Sequence, residues 1–332
     1  MRLFIAPTII SVIVLVAIYW WGGAAALFIA TALAILEITL SFDNAVVNAK
    51  ILEEMAPHWQ RRFLTWGILV SVFGTRLILP IFIVSTVAFV SPFTITSLAL
   101  YDPDAYARLL GGADAAIKAF GGSFLLMVSL KYFFNDSKRI HWLAPIERHL
   151  VRWGRVEALE VSVALFVLLG VSFFAHELPE TIIRAGIIGI VVFTFTEGIA
   201  HGLGMEAKGI ARNGALLFVY LNVLDSAFSL DGVIGAFAIT TALPIIVAGL
   251  GIGAFFVRSL TVYLVRARTL SALVYLEHGA HWAVFGLALS MFAGLIIHVP
   301  EAIIATIGLG FIALSYISSQ RALQTTHSGR VE

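Results

Sequence analysis

The chain has no cysteine in 332 residues. That excludes disulfides, thiolate-held metal and thiol catalysis, and it leaves the compartment open. Charge is the second shortage. Only 12% of residues are Asp, Glu, Lys or Arg, where soluble domains carry about 25%. A water-soluble fold of this length could not cover itself with so few. The common hydrolase and NTPase signatures are missing too, with no HExxH, no GxSxG and no P-loop. What is abundant is apolar: 60% of residues are hydrophobic and the mean hydropathy is +0.98. The expected fold class is therefore all-α, a polytopic membrane protein.

A helix needs roughly 20 apolar residues to cross the hydrocarbon core. Breaks at loops predict ten spans, at 3–21, 23–49, 63–90, 117–134, 157–175, 181–202, 214–240, 242–265, 273–297 and 301–319. Basic residues then divide unevenly. One side holds fifteen, from Arg2 through Lys50, Arg61 and Arg62 to the group Lys138–Arg155 and on to Arg330; the other holds Arg108, Lys118 and Arg184. The positive-inside rule places both termini in the cytoplasm, with the chain integral to the inner membrane. The opposite side carries Asp102, Asp104, Asp114, Glu177, Glu180 and Glu301, either a solvated exterior or a vestibule for cations. Its one long loop, 91–116, reads as re-entrant or as a short interfacial helix. The basic stretch 135–156, with Trp142 and Trp153, reads as an amphipathic linker lying on anionic headgroups. It divides the chain into a first membrane half, 1–134, and a second, 157–332.

Each half repeats one charged pattern inside an apolar run. "EITLSFDNAV" begins at Glu37 and carries Ser41, Asp43 and Asn44; "DSAFSLDGVI" begins at Asp225 and carries Ser229, Asp231 and Gly232. The copies are 188 residues apart and fall in spans of opposite direction. An inverted repeat with polar motifs at the midplane is a pattern of secondary transporters. Glu37, Ser41, Asn44 and Asn48 share one helical face, as do Asn222, Asp225, Ser229 and Gly232. Asp43 and Asp231 lie about 120° off it, so either each faces a different neighbour or the helix loosens at the serine. A carboxylate at the bilayer centre costs about 2.5–3.5 kcal/mol on insertion scales, and four cost on the order of 10 by addition. Protons, a cation or basic partners must offset that, and Arg76 and Arg258 are the candidate charge partners.

Further ionisable groups occur as Glu197 with His201 and Glu277 with His281, both at i, i+4, with His278 adjacent. That spacing lets a carboxylate and an imidazole share a face, which suits a divalent cation or a proton relay. They form a second-tier pathway with Asn48 and Asn222.

The two acidic motifs, each followed by a helix with arginine, resemble the TerC/Alx superfamily of integral membrane proteins. "GGSFLLMVSLKYFFND" and "YLEHGAHWAVFGLALS" extend the likeness to roughly residues 30–320. The loop 91–116, the long linker and "YLEHGAHW" look like a larger domain-of-unknown-function branch, apart from the branches linked to tellurium resistance or manganese export. The resemblance implies a transporter of Mn²⁺ or a similar ion, with Glu37, Asp43, Asn44, Asp225, Ser229 and Asp231 binding metal or protons. Gly232 departs from it, because relatives often have serine or asparagine there.

The expected function is therefore a secondary transporter and exporter of a divalent metal cation, coupled to protons. Oxygen ligands without thiolate suit Mn²⁺, Mg²⁺ or Ca²⁺. The cation is a substrate, and no tightly bound cofactor is expected. Membrane lipid is the surrounding partner and nucleic acid is not one. The alternatives are a membrane-embedded metal-dependent enzyme built on Glu197, His201, Glu277, His278 and His281, and a helper that loads metal onto secreted proteins.

Overall fold

The computed structural model describes the chain except residues 1, 54, 71–73, 75–77, 155, 157, 176–178, 203–213, 267–272 and 329–332. Among the described residues the regular structure is helical throughout, with no strand. In the first half the helices are α1 (Arg2–Leu40), α2 (Phe42–Glu53), α3 (Pro57–Leu69), α4 (Leu79–Ala88), α5 (Pro92–Tyr101), α6 (Pro103–Gly112) and α7 (Asp114–Phe133). The linker holds α8 (Ala144–Trp153). The second half holds α9 (Leu159–Phe174), α10 (Pro179–Gly202), α11 (Gly214–Ile239), α12 (Leu243–Arg266), α13 (Leu276–Ala293) and α14 (Glu301–Ser328).

Among the described residues, five helices are long and apolar enough to cross a membrane: Leu3–Leu40, Asp114–Phe133, Pro179–Gly198, Leu243–Arg266 and Ile303–Gln324. The first is too long to be one crossing. At 1.5 Å per residue it would run about 57 Å, almost twice the roughly 30 Å core. Gly23 breaks it, with φ 72° and ψ −165°, a conformation open to glycine alone. A Cβ on Gly22 would fall 2.5 Å from that of Ala26, closer than successive helical turns allow. The chain folds back there. In the first arm Phe4 lies 6.3 Å, ring to ring, from Tyr263 near the end of α12, and Ile18 shares a crevice with Leu243 and Pro244 at its start. In the second arm Ala30 and Leu33 meet Gly249, and Ala34 and Glu37 meet Gly253. One arm is thus antiparallel to α12 and the other parallel, as the spans at 3–21 and 23–49 require. Gly249 and Gly253, four residues apart, let the two backbones close together.

The other pairings keep the same alternation. Phe120 and Phe124 of α7 pack beside Gly189 and Phe193 of α10, so these two run in parallel. Against α13, Tyr132 stacks on His281 at one end while Gly122 meets Met291 at the other, so that pair is antiparallel. One end of the bundle, the basic face, gathers Lys50, Lys131 and Lys138; the other carries Asp102 and Asp114. The core is built from α7, α10 and α13, around Phe124, Met127, Phe193, Ala283 and Met291. Large apolar side chains cover the outside, among them Trp20 at 84% and Phe166 at 79% exposure. Such a surface is stable only against lipid.

The loop at 91–116 forms α5 and α6. Ser91 and Asp102 cap them by accepting the N–H groups of Thr94 and Ala105, each ahead of a proline at the first helical position. Ile95, Tyr106 and Leu110 are buried against Val233 and Ile246. Most of the linker helix α8 is exposed, including Ile146, Arg148, Arg152 and Trp153, while Glu147 is wholly buried.

Candidate midplane polar site

The first motif breaks its helix at the serine. α1 ends at Leu40 and α2 begins at Phe42, with Ser41 as the turn between them. Ser41 Oγ donates to Glu37 Oε1 at 2.9 Å. Asp43 falls in the first turn of α2, where its Oδ1 accepts the N–H of Asn44 at 2.8 Å. Negative charge is favoured at that end of a helix. The second motif does not break: α11 continues helical through Ser229 and Asp231. The loosening expected of both copies occurs in one.

The two motifs touch. Asn44 Nδ2 donates to Asp225 Oδ1 at 2.7 Å. A Cβ on Gly232 would lie 3.0 Å from Glu37 Oε2. With the 188-residue offset, Asn44 corresponds to Gly232 and Asp225 to Glu37. The two contacts are therefore one contact seen twice, related by an internal two-fold between antiparallel helices.

Beside the Asn44–Asp225 bond is a cavity of about 10 Å³ lined by Ser41, Asn44, Asn48, Asp225, Val257, Arg258 and Thr261. That is about the space of one water-sized probe. Asn44 Oδ1 and Asn48 Oδ1 are buried acceptors without a hydrogen-bond donor among the described residues. Arg258 closes the far side, its Nη2 3.8 Å from Asp225 Oδ2. The same Nη2 donates to Gly67 O at 3.0 Å, and Cζ lies 3.8 Å over the Phe63 ring.

Of the expected site residues, Glu37, Asp43, Asn44, Asn48 and Asp225 are all buried. The small cavity gathers Asn44, Asn48, Asp225 and Arg258, while Asp43 is not among its walls. The side chains of Ser229, Asp231 and His201 and the whole of Arg76 lie outside the described residues. Asn222 does not join the site; its Nδ2 donates back to Phe218 O at 2.6 Å. Thr261, Gly67 and Phe63 are additions that sequence reasoning missed, and no spacing signal marks them.

Glu197, Glu277 and His281 line one cavity of about 620 Å³ at the basic face, with Lys50, Lys131 and Glu160. Glu277 pairs with Lys50 at 3.1 Å. Lys131 reaches Glu197 at 3.2 Å and Glu160 at 3.5 Å. His281 Nδ1 bonds the backbone oxygen of Glu277 at 2.8 Å, while the ring and the Glu277 carboxylate line the same cavity. A lysine from another helix takes the carboxylate, and the helix's own backbone takes the ring. His278 turns away to Glu147. Among the described residues no three His, Asp or Glu side chains group as a metal-holding cluster.

Glu147 is the other residue the sequence concealed. It meets His278 Nδ1 at 2.9 Å, Trp282 Nε1 at 3.1 Å and Lys138 Nζ at 3.1 Å. It also accepts the backbone N–H groups of Trp142 and Leu143, each at 3.3 Å. Burial pushes its pKa up, but the His278 bond, the Trp282 N–H and the Lys138 charge outweigh that and hold it well below the carboxylate range. The linker is pinned to α13 at this point.

No curated protein and no solved structure matches the chain. A family model described as "Protein of unknown function (DUF475)" matches residues 42–326, which takes in Asp43, Asn44 and the whole second motif.

Proposed function

This chain belongs to the DUF475 family of proteins of unknown function, and we propose that it is a secondary transporter, exporting a divalent metal cation such as Mn²⁺ in exchange for protons. The observation that carries the reading is the contact between the repeats: Asn44 bonds Asp225 at 2.7 Å, beside a buried cavity with two acceptor oxygens that lack donors among the described residues. Kinship to the TerC/Alx superfamily, ten spans, cytoplasmic termini and an inner-membrane location belong to the same proposal. They rest on the quoted motifs and on the distribution of basic residues.

The chemistry follows from charge. Buried carboxylates favour protonation when no cation is near and ionisation when a dication arrives. The residues that would offer oxygen are Asp225, Asn44, Asn48 and Ser41, with Glu37 on α1, Asp43 on α2 and Asp231 on α11. All-oxygen donors suit a hard cation. Alternating access would come from one repeat rocking against the other about the midplane contact.

The enzyme alternative draws less support. Its carboxylates, Glu197 and Glu277, are engaged by Lys131 and Lys50, and His278 by Glu147.

The test is Mn²⁺-stimulated proton flux in proteoliposomes, comparing the wild type with Asp225→Asn. The variant is expected to lose the flux. Flux at the wild-type level in that variant would overturn the reading.

A further inference from the structure

The first arm of α1 and the start of α12 leave a groove of about 680 Å³ between them, lined by Ile10, Val14 and Ile18 on one side and Val247, Gly251 and Phe255 on the other. Ser11 is the one lining residue with a polar side chain, and its hydroxyl is turned back onto Pro7 O at 2.7 Å. Leu243 to Phe255 is about 18 Å of helix, close to the roughly 15 Å that one leaflet contributes to the hydrocarbon core. About 680 Å³ spread over about 18 Å gives a mean cross-section of about 38 Å². A helix 10–12 Å across needs about 80–110 Å². Extended hydrocarbon chains fit the groove and a helix does not. Its mouth is marked as well. Tyr19, Trp20 and Trp21 follow Ile18, and Tyr101 follows Leu100, another wall residue; all four are exposed. Tyrosine and tryptophan gather at headgroup level. Pro103, also a wall, stands between Asp102 and Asp104, with Arg108 one turn beyond, and these three charged residues are exposed.

We infer that this groove is a lipid seat, taking the acyl chains of one phospholipid from the leaflet at the acidic end of the bundle, and that its headgroup is a zwitterion with a primary amine, as in phosphatidylethanolamine. The chains follow from the apolar walls, the width and the one-leaflet depth. The headgroup follows from charge. Asp104 at the mouth offers a carboxylate to an ammonium, and Arg108, at i, i+4 on the same helix, offers a guanidinium to the phosphate. An anionic headgroup without an amine would meet the carboxylates of Asp102 and Asp104 with a single guanidinium to offset them. The seated chains complete the packing of the first arm against α12, whose other face carries Gly249 and Gly253 against the second arm. The seat is separate from the midplane site and does not depend on transport.

The experiment is native mass spectrometry of the purified full chain in detergent, mixed with phosphatidylethanolamine and phosphatidylglycerol of identical acyl chains. Ala17 is an exposed wall residue, so Ala17→Trp fills the groove, and this variant is expected to retain one lipid fewer than the wild type. The lipid lost is expected to be phosphatidylethanolamine over phosphatidylglycerol by about two- to fivefold, the worth of an exposed ion pair. Asp104→Asn is expected to keep that lipid and bring the preference to parity. Equal lipid counts in Ala17→Trp and the wild type overturn the inference, as does a wild type without headgroup preference or a preference that survives Asp104→Asn. A wild-type dimer that Ala17→Trp converts to monomer on size exclusion would put a second copy in the groove and overturn it too. Should Ala17→Trp fail to fold, Val247→Trp on the facing wall replaces it, and Asp104→Asn, on an exposed residue, decides the headgroup in either case.

Discussion

Removal of the Glu147 carboxylate should release the linker from the membrane bundle. The carboxylate is fully buried, and the Lys138 side chain that faces it is only 8% exposed. His278 is also buried, at 4%. Glu147→Ala leaves a buried ammonium and two ring N–H groups without their acceptor. Truncating one partner of a buried ion pair costs about 3–5 kcal/mol. Glu147→Gln keeps the shape and one acceptor oxygen, and should cost less, about 1–3 kcal/mol. The loss is local, so it is read best by amide hydrogen exchange. If α8 exchanges through undocking, 3–5 kcal/mol corresponds to opening about 150- to 5,000-fold more often. The expected result is strong loss of protection over residues 144–153 in the alanine variant, a smaller loss in the glutamine variant, and unchanged protection in α7. The pH dependence has a definite sign. A carboxyl whose folded pKa is depressed stabilises fully above its unfolded value, near 4.3, and loses that contribution as pH falls through the folded value. Since the folded value is well below the usual range, the wild-type linker should stay protected at pH 4. Wild-type exchange over α8 in Glu147→Ala would refute the reasoning and show that apolar contacts such as Leu150 hold the helix instead.

Two glycines give further tests. Gly232→Asn adds to the second motif the carboxamide that Asn44 supplies to the first, and its Cβ would approach only the movable end of Glu37, at 3.0 Å from Oε2. It should change thermal stability by less than about 1 kcal/mol while altering Mn²⁺ affinity in titration; a variant with unaltered affinity would contradict the two-fold relation as a feature of the site. Gly253→Ala would place its Cβ 2.4 Å from Glu37 Cγ and 3.1 Å from Ala34 O. Overpacking of about 1–3 kcal/mol should lower its melting temperature, whereas Gly111→Ala, with nothing within 4 Å, should melt as the wild type does.

The features legible in the sequence were those that lipid makes expensive. Charge inside an apolar run stands out, so Glu37, Asp43, Asp225 and Asp231 announced a repeat and its opposite directions. That Asn44 meets Asp225 was not legible, because opposite directions do not set which residues of two helices touch. The break placed between the spans 3–21 and 23–49 falls at the fold-back, where Gly23 leaves helical conformation and the helix continues on both sides. Local spacing misled where a distant helix competed. Glu277 and His281 share a face, as their spacing says, but Lys50 of α2 reaches the carboxylate first. Glu147 was hidden for the same reason. In a stretch rich in Lys and Arg a lone acid reads as a surface partner for its neighbours, and nothing local says that its ligands are His278 and Trp282, 131 and 135 residues away. Arg258 was legible as a buried cation, but its dock on Gly67 O and Phe63 was not, since neither a backbone oxygen nor a phenylalanine in an apolar run is distinctive.

The repeat is most informative where its symmetry fails. A strict two-fold would place a carboxamide on each carboxylate and make two equivalent seats. Here Asn44 serves Asp225, while its counterpart, Gly232, offers Glu37 only backbone and space. The helix break is one-sided as well, present at Ser41 and absent from α11. A break frees backbone groups and turns a helix end toward the midplane, so the first copy has polar groups to spare that the second keeps within its own helix. Among the described residues, the small cavity and the acceptor oxygens facing it fall on the Asn44–Asp225 side alone. Under the proposed transport, the Asn44–Asp225 side is a cation seat built from both motifs. The second motif provides its carboxylate, and the first provides the neutral oxygens that complete it.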